Sequence, residues 1–531
     1  MDGLMQAYPL TLVHAFERAE HLFADKEIVT ATQRGVERTT YGEWAQRTRR
    51  LAGALDDLGI STDGRVGTFA WNTSRHLELY FAVPCSGRVL HTLNIRLFTD
   101  QVSYIVNHAQ DEVVFVDRSL LGVLWPLVDT FETVRHVVVM DDGSDEEIPD
   151  DPRIRDHEEL LADAQPVDFA VENEDRAAAM CYTSGTTGNP KGVLYSHRSM
   201  TLHGMSTMLA DTFALSERDT VLPVVPMFHA NAWGLAHAAV MCGASLVLPG
   251  PDMTPGAIAG LLESERVTLT AGVPTIWMGM LGELDTRDLS HLREIVCGGS
   301  AVPRSLSESY REKLGRPILQ AWGMTETSPI GSVARVKSRQ ADLPEEELID
   351  LRASVGIIVP LVDVRIAEAD SSESLPWDGE TQGELQVRGP WIASAYYADD
   401  RVDSFTTDGW LRTGDVAVID AQGYIRLVDR TKDVIKSGGE WVSSVELENE
   451  IMAHPDVVEA AVIGVPDERW GERPMACVVV EGRELSADAV REHLEGRVAK
   501  WWIPERVEFI DEVPKTSVGK FSKKTLRERF V

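Results

Sequence analysis

Cysteine is scarce in this chain: five in 531 residues, at Cys85, Cys181, Cys242, Cys297 and Cys477, with no CxxC pair. A disulfide scaffold and the ligand spacing of a structural zinc site are excluded. Buried free thiols in a reducing cytoplasm are the expectation. Basic residues are also few, 51 Lys and Arg against 84 Asp and Glu, for a net charge of −33. Nucleic acid and anionic membranes are drawn to basic faces, so neither is an expected partner. The first residues, MDGLMQAYPLTLVHAF, lack the basic start and small-residue cleavage site of a secretory signal. Residues 220–251 contain no Asp, Glu, Lys or Arg, a run long enough to cross a bilayer. Pro223, Pro226, His229, Asn231, His237 and three glycines interrupt it. It therefore reads as strand, loop and helix inside a globular domain, with no transmembrane segment expected.

The rest of the composition is ordinary, 44% hydrophobic and 25% charged, enough to bury a large core. Two or three domains are expected at roughly 150 residues each. Tyr41, Trp44, Ala45, Leu51 and Leu55 have helical spacing over 40–59, followed by a strand at 65–70 and a helix at 75–88. This alternation runs through the first 330 residues and predicts layered α/β structure. Residues 141–151 hold seven acids and no base, which reads as a solvated loop. Short strands at 383–387, 410–413 and 423–428 predict a small β-rich subdomain. After Arg430 the pattern changes again. Ser443 and Glu446 have capping-box spacing before Leu447 and Ile451. Apolar strands follow at 457–465 and 476–480, then a helix carrying Val490, Leu494 and Val498. The expected organisation is a large unit, 1–430, and a small α+β unit, 431–531.

The sharpest local signal is YTSGTTGNPKG at 182–192, fed by an apolar strand at 177–182. It packs four hydroxyls and three glycines into ten residues. Glycine lets backbone approach an anion closely, and hydroxyls with N–H groups can wrap phosphate oxygens. The spacing is not that of a Walker A loop. From Lys515 to the end there are six basic residues and one acid, a local reversal of charge suited to an anion. Within it Lys523, Lys524, Arg527 and Arg529 read as exposed surface.

These motifs resemble those of the adenylate-forming superfamily, which includes acyl-CoA synthetases, adenylation domains and firefly-type luciferases. The resemblance runs in order along nearly the whole chain. After the phosphate loop come VPMFHANAW at 225–233, GGSA at 298–301, QAWGMTETS at 320–328, RTGD at 412–415, DRTKDVIKSGGEW at 429–441 and PKTSVGK at 514–520. The run at 436–444 is most similar to the fatty acyl-CoA synthetase branch.

The resemblance implies the following roles. Thr183, Ser184, Gly185, Thr186, Thr187, Gly188 and Lys191 surround the phosphates of ATP. Gly299, Ser300 and Ala301 lie beside adenine, with Gln320, Ala321, Trp322, Gly323 and Thr325 in the core nucleotide motif. Trp322 stands where many relatives carry Tyr, which keeps an aromatic face for adenine. Asp415 accepts from the ribose hydroxyls. Glu326, with Thr183, is placed as the Mg²⁺ ligand, a role that suits a hard carboxylate oxygen. Arg430, Lys432, Lys436 and Trp441 belong to the nucleotide or interdomain contact, Lys432 being the hinge. His229, Ala230, Asn231, Trp233 and Gly298 line the acyl pocket, and Gly438, Gly439 and Trp470 meet CoA. Lys520 is the catalytic lysine of a mobile C-terminal domain. His229 shapes the carboxyl end of the pocket, since a carboxylate needs no general base. Core packing is the competing reading for His229 and Trp233.

The implied activity is an ATP-dependent acyl-CoA synthetase acting through acyl-AMP on medium- to long-chain fatty acids, a cytoplasmic homodimer using ATP, Mg²⁺ and CoA. A ligase for a short thioether or branched acid, such as 3-methylmercaptopropionate, is the alternative. A stand-alone adenylation protein and a nonenzymatic nucleotide binder are more distant ones.

Overall fold

Thr40 opens the first long helix, Tyr41–Asp57, with a capping box in which its hydroxyl accepts from Glu43 N–H while Glu43 accepts from Thr40 N–H. The apolar face of that helix, Trp44, Leu51 and Leu55, is fully buried. The computed structural model describes the chain apart from residues 2, 184–188, 369–372, 400–402, 434, 438–439, 468, 481–484 and 516–520, and apart from the side chains of 436, 440 and 441.

Two large sheets carry the first part of the chain. The seven-stranded sheet runs Ile154–Asp156, His136–Met140, Asp111–Asp117, Arg65–Phe69, Val89–Thr92, Ala177–Tyr182, Gly192–Ser196. Its neighbours are parallel except for the last pair, a hairpin with Cys181 opposite Val193. The nine-stranded sheet runs Ile357–Ile358, Ile330–Val333, Leu319–Gly323, Glu294–Cys297, Leu269–Gly272, Thr220–Pro223, Ser245–Leu248, Glu27–Thr32, Gly35–Thr40. Its central strands are parallel, as crossover helices require, and its edges antiparallel. The uncharged run becomes the strand Thr220–Pro223, a short left-handed turn, the buried helix Leu235–Cys242 and the strand Ser245–Leu248.

The β-rich stretch is a four-stranded antiparallel sheet of Asp363–Ala367, Gly383–Arg388, Leu411–Ile419 and Ile425–Arg430. The last part of the chain forms its own five-stranded sheet, centred on the hairpin Val457–Asp467 and Gly471–Val480. This is mixed α/β architecture, a large N-terminal domain followed by a small C-terminal one. Among the described residues no helix is long and apolar enough to cross a membrane. All five cysteines are buried and unpaired.

Three expectations need correction. The acidic run is not wholly solvated: Asp142 is buried, accepting from Ser119 and Ser144 N–H, and Asp141 pairs with Arg34 at 2.9 Å. The last predicted helix stops at Leu494, because Glu495 is extended and Gly496 takes φ +77°, so Val498 lies beyond it. The basic tail is not all surface. Lys523 is half-buried and pairs with Glu448 at 2.8 Å, and Arg527 pairs with Asp433 at 2.8 Å.

Candidate active site

Parallel strands in the nine-stranded sheet end in register, with Gly272 opposite Cys297. The loops beyond their carboxyl ends converge, which is where open α/β sheets bind ligands. Gly298 follows one strand. A Cβ there would lie 2.8 Å from Ala321 O and 3.1 Å from Trp233 Cη2. A bare glycine thus lets the Trp233 indole approach the strand Leu319–Gly323. Gly299 takes φ +87°, while Ser300 and Ala301 are exposed. The buried Gln320 side chain accepts from Val302 N–H at 3.3 Å and so braces this loop.

The loop of Trp233 is strained. Ala230, Asn231, Ala232 and Trp233 all have positive φ, between 43° and 55°. Left-handed backbone costs about 1–2 kcal/mol for each residue with a Cβ. Such strain persists where surroundings over-determine it. Buried Asn72 supplies part of that support: its amide donates to Pro223 O at 2.8 Å and Val225 O at 3.0 Å, and its oxygen accepts from Met227 N–H. Asn231 accepts from the Cys181 thiol at 3.4 Å. His229 is half-buried and its N–H donates to Pro226 O at 3.1 Å. Behind this turn a cavity of about 10 Å³, the size of one water, is lined by His203, His237, Tyr195, Asn231 and Ser328 among others. Burial drives both imidazoles down to about 3, so the lining is neutral.

Thr325–Thr327 is a 3₁₀ turn that carries Glu326. Gly323 is obligatory before it, since a Cβ would lie 1.6 Å from Pro329 O. The Tyr195 hydroxyl donates to Thr325 O at 2.7 Å, and Ala393 N–H to Glu326 O at 2.8 Å. Tyr396 donates to Glu326 Oε1 at 2.6 Å. The same tyrosine ring lies 4.4 Å beneath the Lys191 ammonium. Lys191 is tied to Thr183: its N–H donates to Thr183 Oγ1 at 3.1 Å and its carbonyl accepts from Thr183 N–H at 2.9 Å. Ser184, Gly185, Thr186, Thr187 and Gly188 lie outside the described residues.

Asp415 is buried between two donors. Trp322 Nε1 donates to Oδ2 at 2.9 Å, and Arg430 Nε pairs with Oδ1 at 2.7 Å. The Asp415 charge raises the Arg430 guanidinium pKa further. Beyond Arg430, Thr431 N–H donates to Gly414 O at 2.9 Å, whereas Asp433 is held by Arg527 at 2.8 Å. Lys432 stands between these two anchors.

The fold thus brings together Trp233, Gly298 and Ala321; Trp322, Asp415 and Arg430; and Thr183, Lys191 and Glu326 through Tyr396. Trp470 is exposed in a hairpin turn, its N–H donating to Asp467 at 2.8 Å with the Arg469 guanidinium 4.6 Å over its ring. Lys436 and Trp441 are backbone register partners in a short antiparallel pair. Gly438, Gly439 and Lys520 lie outside the described residues. Sequence reading missed Asn72, Tyr195 and Tyr396; each acts on a residue distant in the chain, and spacing carries no signal for that.

Among the described residues no three His, Cys, Asp or Glu side chains gather as a metal cage. A single carboxylate, Glu326, fits Mg²⁺ that keeps its waters and rides on substrate phosphates.

The chain matches the model of the AMP-binding enzyme over residues 16–397 and that of the AMP-binding enzyme C-terminal domain over 446–520. It is 46% identical over 544 aligned residues to a long-chain-fatty-acid–CoA ligase of Thermus thermophilus, covering 100% of this chain and 99% of that one. It is 43% identical to a 3-methylmercaptopropionyl-CoA ligase of Ruegeria lacuscaerulensis, with 100% and 99% covered. A crystal structure of the anthranilate CoA ligase AuaEII in complex with anthranoyl-AMP superposes with a TM-score of 0.87, at 25% identity over 99% of each chain. This protein belongs to the AMP-binding enzyme family.

Proposed function

We propose that this protein is an ATP-dependent acid–CoA ligase that works in two steps through an acyl-adenylate, on medium- to long-chain fatty acids. The observation that carries the reading is the carboxylate of Asp415, held between Trp322 and Arg430 next to the strand that leads into Glu326. An acceptor carboxylate for ribose and a second one for a phosphate-bound cation then lie at the two ends of one nucleotide.

In the first step the acid's carboxylate attacks the α-phosphate and pyrophosphate leaves. Thr183 and Lys191 sit at the neck of the phosphate loop, where charge develops. Preorganised donors and cations there are the main source of rate. Glu326 would hold Mg²⁺, which neutralises phosphate charge. Lys520 is proposed to stabilise the same transition state. His229, Ala230, Asn231, Trp233 and Gly298 shape the acyl end. In the second step the CoA thiol attacks the acyl carbon and AMP leaves, with Gly438, Gly439 and Trp470 on the CoA side.

In this reading the two units are residues 1–430 and 431–531. Anchors on either side of Lys432, one to residues 414–415 and one to Arg527, support a hinge at that residue. The second unit would rotate between the steps.

The test is pyrophosphate release with an acid panel from C4 to C16, with CoA-thioester formation followed by mass. Adenylation without thioester on every acid would overturn the ligase assignment. A second reading, a ligase for a short thioether acid, is supported by the 43%-identical relative. Preference for 3-methylmercaptopropionate over every straight-chain acid would establish it in place of the fatty-acid reading.

A further inference from the structure

We propose that Tyr396 is a positioning residue for the Glu326 carboxylate, and that its ring keeps Lys191 off that carboxylate so that a metal ion can take it. This rests on the reading of Glu326 as the Mg²⁺ ligand.

Three contacts fix the glutamate. Its carbonyl accepts from Ala393 N–H at 2.8 Å, and the preceding carbonyl accepts from Tyr195. Its Oε1 accepts from the Tyr396 hydroxyl at 2.6 Å, the length of a charge-assisted O–H···O⁻ bond. Among the described residues no hydrogen bond or ion pair is made to Oε2, and the residue as a whole is 6% exposed. A largely buried carboxylate with one oxygen left open in this way can take a cation.

The nearby lysine does not supply it. The Lys191 ammonium sits 4.4 Å from the centroid of the Tyr396 ring, held on its negative face. The ring itself is buried and packs 5.6 Å from Phe405. One tyrosine therefore does two things: its hydroxyl turns one oxygen of Glu326 inward, and its ring parks the phosphate-loop cation beside the carboxylate rather than on it. The free oxygen is left for a metal ion, and Lys191 for a phosphate.

The experiment compares wild type, Tyr396→Phe and Glu326→Gln as full chains. Tyr396→Phe keeps the ring, its packing and the Lys191 contact, and removes only the hydroxyl. Mn²⁺ is added with excess ATP and without acid substrate, and its capture by the protein is read as the enhancement of water-proton relaxation over that of Mn²⁺–ATP alone. Partners that orient a metal ligand are worth about 10–100-fold in metal affinity. Tyr396→Phe should weaken Mn²⁺ binding by about that factor. The Mg²⁺ concentration for half-maximal adenylation should rise in step, while the KM for the acid and the thermal midpoint stay at wild type. Wild-type Mn²⁺ affinity in Tyr396→Phe, with affinity lost in Glu326→Gln, would overturn the role of Tyr396 and leave Glu326 as the ligand. Wild-type affinity in Glu326→Gln would overturn the reading of Glu326 and this proposal together.

Discussion

The indole N–H of Trp322 donates to Asp415 at 2.9 Å, across 93 residues of sequence. One edge of the ring is thereby committed to the carboxylate, and its six-membered ring lies against Gly331, where a Cβ would come within 2.5 Å. In the proposed reading Asp415 would meet a ribose with its orientation already set by Trp322 and Arg430, so part of the ordering cost of nucleotide binding would be met in folding.

Trp322→Phe should therefore raise the KM for ATP with little change in the KM for the acid. A hydrogen bond to a charged group contributes about 1.5–3 kcal/mol, and Arg430 remains, so a rise of about tenfold is expected. Steady-state kinetics with each substrate varied in turn checks it. An equal rise for both substrates would mean that the ring acts through packing alone.

Trp233→Ala should change acid selectivity more than ATP affinity. Each methylene newly buried where the indole stood contributes about 0.8 kcal/mol, so kcat/KM should shift more than tenfold across two or three carbons. Gly298→Ala, which presses a methyl on the same indole and on Ala321 O, should cost about 1–3 kcal/mol in stability. The double variant should lose less than the sum, because removing the indole relieves one of the two clashes. Thermal melts and the C4–C16 acid panel read both effects. Strict additivity would show that the two residues do not meet.

Lys432→Pro should separate the half-reactions. Proline fixes φ near −65°, and the residue lies between an anchor on residues 414–415 and one on Arg527. Adenylation should survive or fail with the conformation that is locked, while turnover through both steps collapses. Single-turnover measurement of acyl-AMP and acyl-CoA formation decides it; unchanged rates for both would remove the hinge.

Asp219→Asn should destabilise the domain without touching the chemistry. Asp219 accepts from Arg293 at 2.7 and 2.9 Å, from Thr268 at 2.7 Å and from Ser216 N–H at 2.9 Å, tying three parallel strands at their amino ends. Burial opposes its charge, but Arg293 and Thr268 prevail and hold its pKa below the ordinary value. The contribution is therefore complete above the unfolded carboxylate's pKa of about 4 and is lost as pH falls through the folded one. Removing one partner of such a pair costs on the order of 3 kcal/mol. Melts from pH 7 to pH 3 should show the variant's deficit shrinking at the acid end.

Periodicity and motif order were enough to read the layered α/β units, the β-rich stretch and the separate C-terminal sheet, because each depends on residues near one another in the chain. Thr40 with Glu43 opens its helix as the spacing implies. Gly298 and Gly323 stand where the motifs place them, and backbone crowding explains why no side chain fits. The nucleotide motifs stood out in the sequence for the same reason, since a turn that must approach a phosphate needs glycine and hydroxyls close together, and the roles of their residues belong to the proposal. Tertiary structure alone decided the partners. Trp322 meets Asp415, Tyr396 meets Glu326 and Lys523 goes under Glu448 because separate sheets and helices dock against one another. The left-handed turn at Ala230–Gly234 was hidden for another reason. Nothing in the sequence HANAWG favours positive φ at alanine and tryptophan, and surrounding contacts, among them those of Asn72, Cys181 and Gly298, hold the backbone there.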